Sequence, residues 1–224
     1  MEVATNQKGW QMKTVREHRT ARASEPLTPG WVLLPAVAAP VLLIGGWTVA
    51  AALRPGHFDQ VTRTISSLAA SGAPNRWLMT TVFAVVGVCY LLTAWGLREA
   101  ALPGRILLAV GGITTCMVAA IPLPADGPSV AHSSVASFAF LALAFWPLLA
   151  RRSDPALPWA LRPLVSVTAS MVLFGLLVWF GVELNVGARI GLSERIAAGA
   201  QAVWPGAVAY ACVAARVTFG RCQV

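Results

Sequence analysis

The stretch PLPADGPSVAHSSVASFAFLALAFW, Pro122 to Trp146, decides how the chain is read. It opens as a Pro- and Gly-bearing turn with one acid, Asp126, and one imidazole, His132, and then becomes an apolar, aromatic run that reaches Ala150. A run of that length approaches the ~20 residues that carry a helix across ~30 Å of hydrocarbon. Ionisable groups at the edge of a hydrocarbon layer are costly, so Asp126 and His132 become functional candidates by default.

The remaining sequence repeats the pattern. With the run at 132–150, apolar segments at 31–53, 77–97, 105–122, 163–186 and 196–216 give six spans. Hydrophobic residues make up 57% of the 224 and charged residues 12%, about half the charged fraction of a soluble domain, and the mean hydropathy is +0.67. Closed barrels need alternating segments of ~10 residues, which are absent. The expected fold is an all-α integral membrane bundle of six transmembrane helices, multi-pass in the cell membrane and in contact with the lipid bilayer. Residues 1–29 form a basic tail, 30–217 the transmembrane domain and 218–224 a C-terminal tail.

The net charge of +8 does not point to nucleic acid, because the basic residues lie between apolar runs rather than on a patch with stacking aromatics. Orientation explains them. Five cations in the tail, together with those near 98–105, 151–162 and 216–221, outnumber Arg54, Arg63, Arg76, Arg189 and Arg195 on the opposite side, which places both termini in the cytoplasm. The tail has no apolar core and is not a secretory signal. Cys89, Cys116, Cys212 and Cys222 lack metal or CxxC spacing and are read as small core residues, with no metal or other cofactor expected.

The first outer loop, RPGHFDQVTRTISSLAASGAPNR, is more than a connector. Val61, Ile65 and Leu68 recur at helical spacing, Asp59 stands in N-cap position, and Gly72 with Pro74 ends the run. This predicts a short helix lying at the interface.

On this topology Asp59, Asp126, His132, Glu183 and Glu194 gather at the outer ends of the helices. Below them lie the rings of Trp47, Phe83, Tyr90, Phe138, Phe140, Trp179, Phe180 and Trp204. Acids at a mouth above aromatic walls are the form of a small-molecule site. Each has a plainer reading: Asp59 and His132 as caps, Asp126 as a turn acid, Glu194 and Arg195 as a dipole partner and an interfacial anchor, the rings as core or membrane belt. Glu183 is hardest to explain away, because it sits inside the apolar helix WFGVELNVG. No acidic magnesium-binding cluster, GxSxG elbow or phosphate-binding Gly-Lys loop is present.

FDQVTRTISSLAASGAPNRWLM, the D-x5-H spacing of Asp126 and His132, and GLSER at 191–195 together resemble a family of bacterial six-helix membrane proteins grouped as a domain of unknown function. The resemblance covers most of residues 31–216 and implies fold rather than activity. In size, helix number and distribution of acids and rings, without a defined motif, the chain is also similar to small membrane-bound terpene cyclases of actinobacterial indole-terpenoid (drimane-type) pathways. That likeness implies metal-free, proton-initiated cyclisation of a prenylated small molecule such as a farnesylated indole or diketopiperazine. A neutral carboxylic acid would give the proton, rings would hold the cation, and water would be excluded.

The expected function is therefore an intramembrane terpene cyclase of isomerase type. Glu183 is the first choice as donor, Asp59, Asp126 and Glu194 are further acid candidates, and His132 would orient or reprotonate one of them. Trp47, Phe83, Phe138, Trp179, Phe180 and Trp204 would bind substrate. The alternative is a non-enzymatic lipid- or small-molecule-binding or transport-accessory membrane protein, and a lipid hydrolase using His132 and a carboxylate is a third reading. Oligomeric state is open.

Overall fold

The computed structural model describes residues 27–154 and 158–221. Most of the basic tail and the last three residues of the C-terminal tail, both expected from the sequence, lie outside the described residues. After a 3₁₀ turn at Gly30–Val32, six α-helices follow: α1 Leu33–Ala52, α2 Arg76–Gly96, α3 Leu102–Ala120, α4 Val130–Ala150, α5 Pro163–Val186 and α6 Ile190–Arg221. Six helical segments are long and apolar enough to cross a membrane, the last of them Ile190–Arg216. The protein is an all-helical, multi-pass membrane protein. α6 starts six residues before its apolar run, with the charged Glu194 and Arg195 in its opening turns.

Each helix packs against its neighbours in sequence, and α6 closes against α1, so the six form a ring. Large apolar side chains such as Leu34 (78% exposed), Val130 (85%) and Leu164 (79%) point outward. In water these faces would be an aggregation hazard; around a membrane bundle they are the lipid-facing surface. Lipid tails are as apolar as leucine, so close packing rather than hydrophobic burial must hold the helices together. Small residues supply it. Gly87 of α2 and Gly112 of α3 face each other so closely that a Cβ on either would stand 2.6–2.7 Å from the other's carbonyl oxygen. Gly104 lies against the Ala150 backbone, and Gly206 of α6 against the Ala36 carbonyl of α1. In α4, Pro147 interrupts the hydrogen-bond ladder, and the adjacent Leu148 N–H is taken by Ser170 Oγ of α5 at 2.9 Å.

At the end where α1 begins, the buried Glu99 of the α2–α3 turn accepts the Thr28 N–H at 3.0 Å, and Arg216 of α6 donates to the Thr28 carbonyl at 2.6 Å. This end of the ring is tied through backbone groups. The opposite end carries the 53–75 segment. It contains no amphipathic α-helix: a turn capped by Asp59 is followed by the single 3₁₀ turn Ser66–Leu68. Phe58, Ile65 and Leu68 are buried, so the segment plugs the bundle rather than lying on its surface.

Gly112→Ala should lower stability by about 1–3 kcal/mol through forced separation of α2 and α3. Gly175→Ala and Gly181→Ala, where the space for a Cβ is open, should be neutral or gain up to ~1 kcal/mol of helix propensity. Thermal denaturation of the three variants in detergent measures the contrast.

Candidate functional site

The 57–68 segment is seated on the first turns of α6 by three neighbouring residues. Leu192 N–H donates to the Val61 carbonyl at 3.0 Å. Glu194 Oε2 accepts the Ile65 N–H, and the Ser66 N–H also bonds this carboxyl. Arg195 Nη1 donates to the carbonyls of Gln60 and Arg63, and to Gly191 in its own helix, each at 2.8 Å. Glutamate therefore takes the N–H end of the segment and arginine the C=O end. Gly191 is required because a Cβ there would strike the Arg63 and Gln60 carbonyls. Ser71 N–H reaches the Leu123 carbonyl at 2.8 Å, so the loop between α3 and α4 is joined to the same plug.

Beneath the plug lies a cavity of about 70 Å³ lined by α1, α2, α3, α4 and α6. Its walls are mostly apolar. Phe83 and Tyr90 of α2 face Phe140 of α4, Ile65 and Ser66 form the roof, and Glu194, Ala198 and Gln201 make one stripe of α6. Gln201 is 1% exposed; its Nε2 donates to the Phe140 carbonyl at 3.0 Å, while its Oε1 is buried without a donor. Thr115 of α3 also lines the cavity.

Of the five expected acid and imidazole residues, Glu194 alone reaches this cavity. Asp59 stays at the rim, accepting the Val61 N–H at 2.9 Å and the Thr62 hydroxyl at 2.7 Å. Those bonds, the hydroxyl first, hold its carboxyl below its ordinary value of 3.8. Asp126 is exposed in the turn at Gly127. Glu183 is half-buried and links Trp179 Nε1 (3.2 Å) to the Arg189 N–H (2.8 Å), which fastens the α5–α6 connection. His132 is buried, and its Nδ1 lies 2.7 Å from the Ile121 carbonyl, joining the end of α3 to the start of α4.

Among the expected aromatic walls, Phe83 lines the cavity. Phe138 does not: it is 63% exposed on the outer face of α4. Phe180 stands behind Phe140, with ring centroids 5.5 Å apart. Trp47 packs toward Gly199, Trp179 is committed to Glu183, and Trp204 meets Trp159 edge-on at 6.4 Å. Gln201 escaped the sequence reading, although its place seven residues after Glu194 puts both on one helix face.

The fold defines a class: six-span helical membrane proteins. The family described as "Protein of unknown function (DUF998)" matches residues 37–211, and the chain belongs to it. No curated protein and no solved structure matches the chain.

Glu194→Ala should leave the Ile65 and Ser66 amides without their acceptor, at a cost of ~1–3 kcal/mol, so hydrogen exchange across 60–68 should quicken about tenfold or more. Asp59 contributes stability that is present above its unfolded value near 3.8 and is lost as pH falls through the lower folded value. Exchange at 59–63 should therefore rise below about pH 4, and Asp59→Asn should remove that dependence.

Proposed function

We propose that this protein binds a small apolar molecule, or the apolar end of a larger one, in the chamber inside the bundle. It would do so in the cell membrane, with both termini on the cytoplasmic face as the distribution of Lys and Arg suggests. One observation carries the reading: a largely apolar cavity lined in part by Gln201, whose buried amide oxygen has no donor. Leaving such a group unpaired costs ~1–3 kcal/mol, and a ligand with one O–H or N–H among apolar groups would relieve it. At about 70 Å³ the chamber is about half the size of the ~150 Å³ engineered cavity that takes benzene. That size suits the tip of a prenyl or acyl chain bearing a hydroxyl rather than a whole sesquiterpene.

A second reading, acid-initiated and metal-free cyclisation of a prenylated substrate, is favoured by Glu194, a carboxyl on the cavity wall beside Tyr90, Phe83 and Phe140. It needs the chamber to widen enough to admit the prenyl chain.

Titration of the detergent-purified protein with prenyl alcohols and their methyl ethers, followed by thermal shift, tests binding. The alcohol should protect more than the ether, and Gln201→Leu should abolish that preference by about tenfold while leaving the unliganded protein as stable or more so. Equal protection by alcohol and ether, or none by either, would remove Gln201 as the recognising group. For the second reading, a farnesylated indole incubated with membranes should yield an isomer of unchanged mass that disappears in Glu194→Gln. Unaltered compound leaves the binding reading in place.

A further inference from the structure

A separate feature of the plugged end lies outside the chamber. The guanidinium carbons of Arg54, Arg63 and Arg195 surround the buried Phe58 ring, at 5.4, 5.4 and 6.0 Å from its centroid. An aromatic ring has two negative faces, and three cations share them here. We propose that these arginines form a binding site for a phosphate oxyanion, of the kind carried by an anionic lipid headgroup, with Phe58 as its floor. The proposal is independent of the chamber reading, because none of these four side chains lines the cavity.

Three observations support it. Arg195 is 8% exposed, and while its Nη1 is fully engaged, its Nε and Nη2 are buried without an acceptor. Arg54 gives Nη2 to the Ser67 carbonyl at 3.1 Å and leaves its Nε equally unpaired. Buried N–H groups of a cation without acceptors are costly, and an oxyanion supplies several at once. Second, the nearby acids are turned to other donors: Asp59 to Val61 and Thr62, Glu194 to the Ile65 and Ser66 amides. Burial, and after it the charge of Arg63, holds the Arg54 guanidinium below its ordinary value. Third, the arginines come from the same end of the bundle: Arg54 stands two residues beyond the α1 segment and Arg195 in the opening turns of the α6 segment. Arg63 is exposed and leaves the site open to the rim. A tetrahedral phosphate offers oxygens in divergent directions, which suits guanidiniums approaching from different sides better than a planar carboxylate does.

The test uses the whole protein, delipidated in neutral detergent, with thermal shift and native mass spectrometry as readouts. It is titrated separately with short-chain phosphatidylglycerol, phosphatidylcholine and inorganic phosphate. Phosphatidylglycerol should protect at lower concentration than phosphatidylcholine. Arg63→Gln, which removes an exposed head from the cluster, should raise the half-saturating concentration about tenfold. Arg189→Gln, an exposed arginine at the same end but outside the cluster, should leave it unchanged. Protection by inorganic phosphate that also depends on Arg63 would support the site and identify a free oxyanion as sufficient. Protection by phosphatidylglycerol alone would support it and identify the lipid. The proposal is overturned if the two lipids protect equally, if Arg189→Gln weakens protection as much as Arg63→Gln, or if nothing binds.

Discussion

The structure depends on the seating of irregular backbone at the edge of the hydrocarbon layer. A non-helical segment there must have its N–H and C=O groups satisfied by protein, since lipid offers no partners. The 57–68 segment meets that demand through α6: Leu192 takes one carbonyl, Arg195 two more, and Glu194 two amides. Glu194 and Arg195 are adjacent in sequence yet act on opposite polarities of one stretch of backbone. Such a pair is not worth its Coulomb attraction alone. Removing either residue strands the other's buried charge together with the peptide groups it held.

That division of labour explains why charge in the sequence was misplaced while hydrophobicity was not. Runs such as 77–97 and 163–186 announce α2 and α5 within a residue or two, because length and apolarity are set by the bilayer. The GLSER stretch at 191–195 fell outside the apolar run placed at 196–216 for the same reason, since two charges at a helix start argue against hydrocarbon. Only tertiary contact shows that they enter the fold to satisfy another segment. Likewise Val61, Ile65 and Leu68 have helical spacing, but Val61 is exposed, and the burial of Ile65 and Leu68 is achieved by a 3₁₀ turn pressed into the ring.

Sequence also gives height along a span more readily than direction around it. Asp59, Asp126, Glu183 and Glu194 lie toward one end of the bundle as expected, yet the azimuth of each helix sends Asp126 to solvent and Glu183 to the α5–α6 connection, leaving Glu194 at the cavity. The rings divide in the same way. Phe138 and Phe140, two residues apart on α4, point to opposite surroundings, the first outward and the second into the chamber. A helical offset of two residues turns a side chain through roughly 200°, so a list of aromatics at one depth cannot say which of them share a wall. Glu194 and Gln201 were separable from the other polar residues by the seven-residue interval, once α6 was known to begin at Ile190 rather than near 196.

The double role of Glu194 bears on which chemistry the chamber suits. An acid that starts a cationic cyclisation must turn its O–H toward an alkene and then be reprotonated, so it needs freedom and a proton path. Oε2 of Glu194 is held by the Ile65 N–H, in the hydrogen bond that seats the roof of the chamber. His132, the imidazole that might have relayed a proton, is tied to Ile121 and does not line the cavity. Movement of Glu194 toward a substrate would loosen the plug and admit water, the condition a carbocation least tolerates. Gln201 carries no such burden: its amide nitrogen is fixed on Phe140 and its buried oxygen is left without a donor. The proposal of binding rather than catalysis rests on this contrast between an acid committed to the plug and an amide oxygen left without a donor.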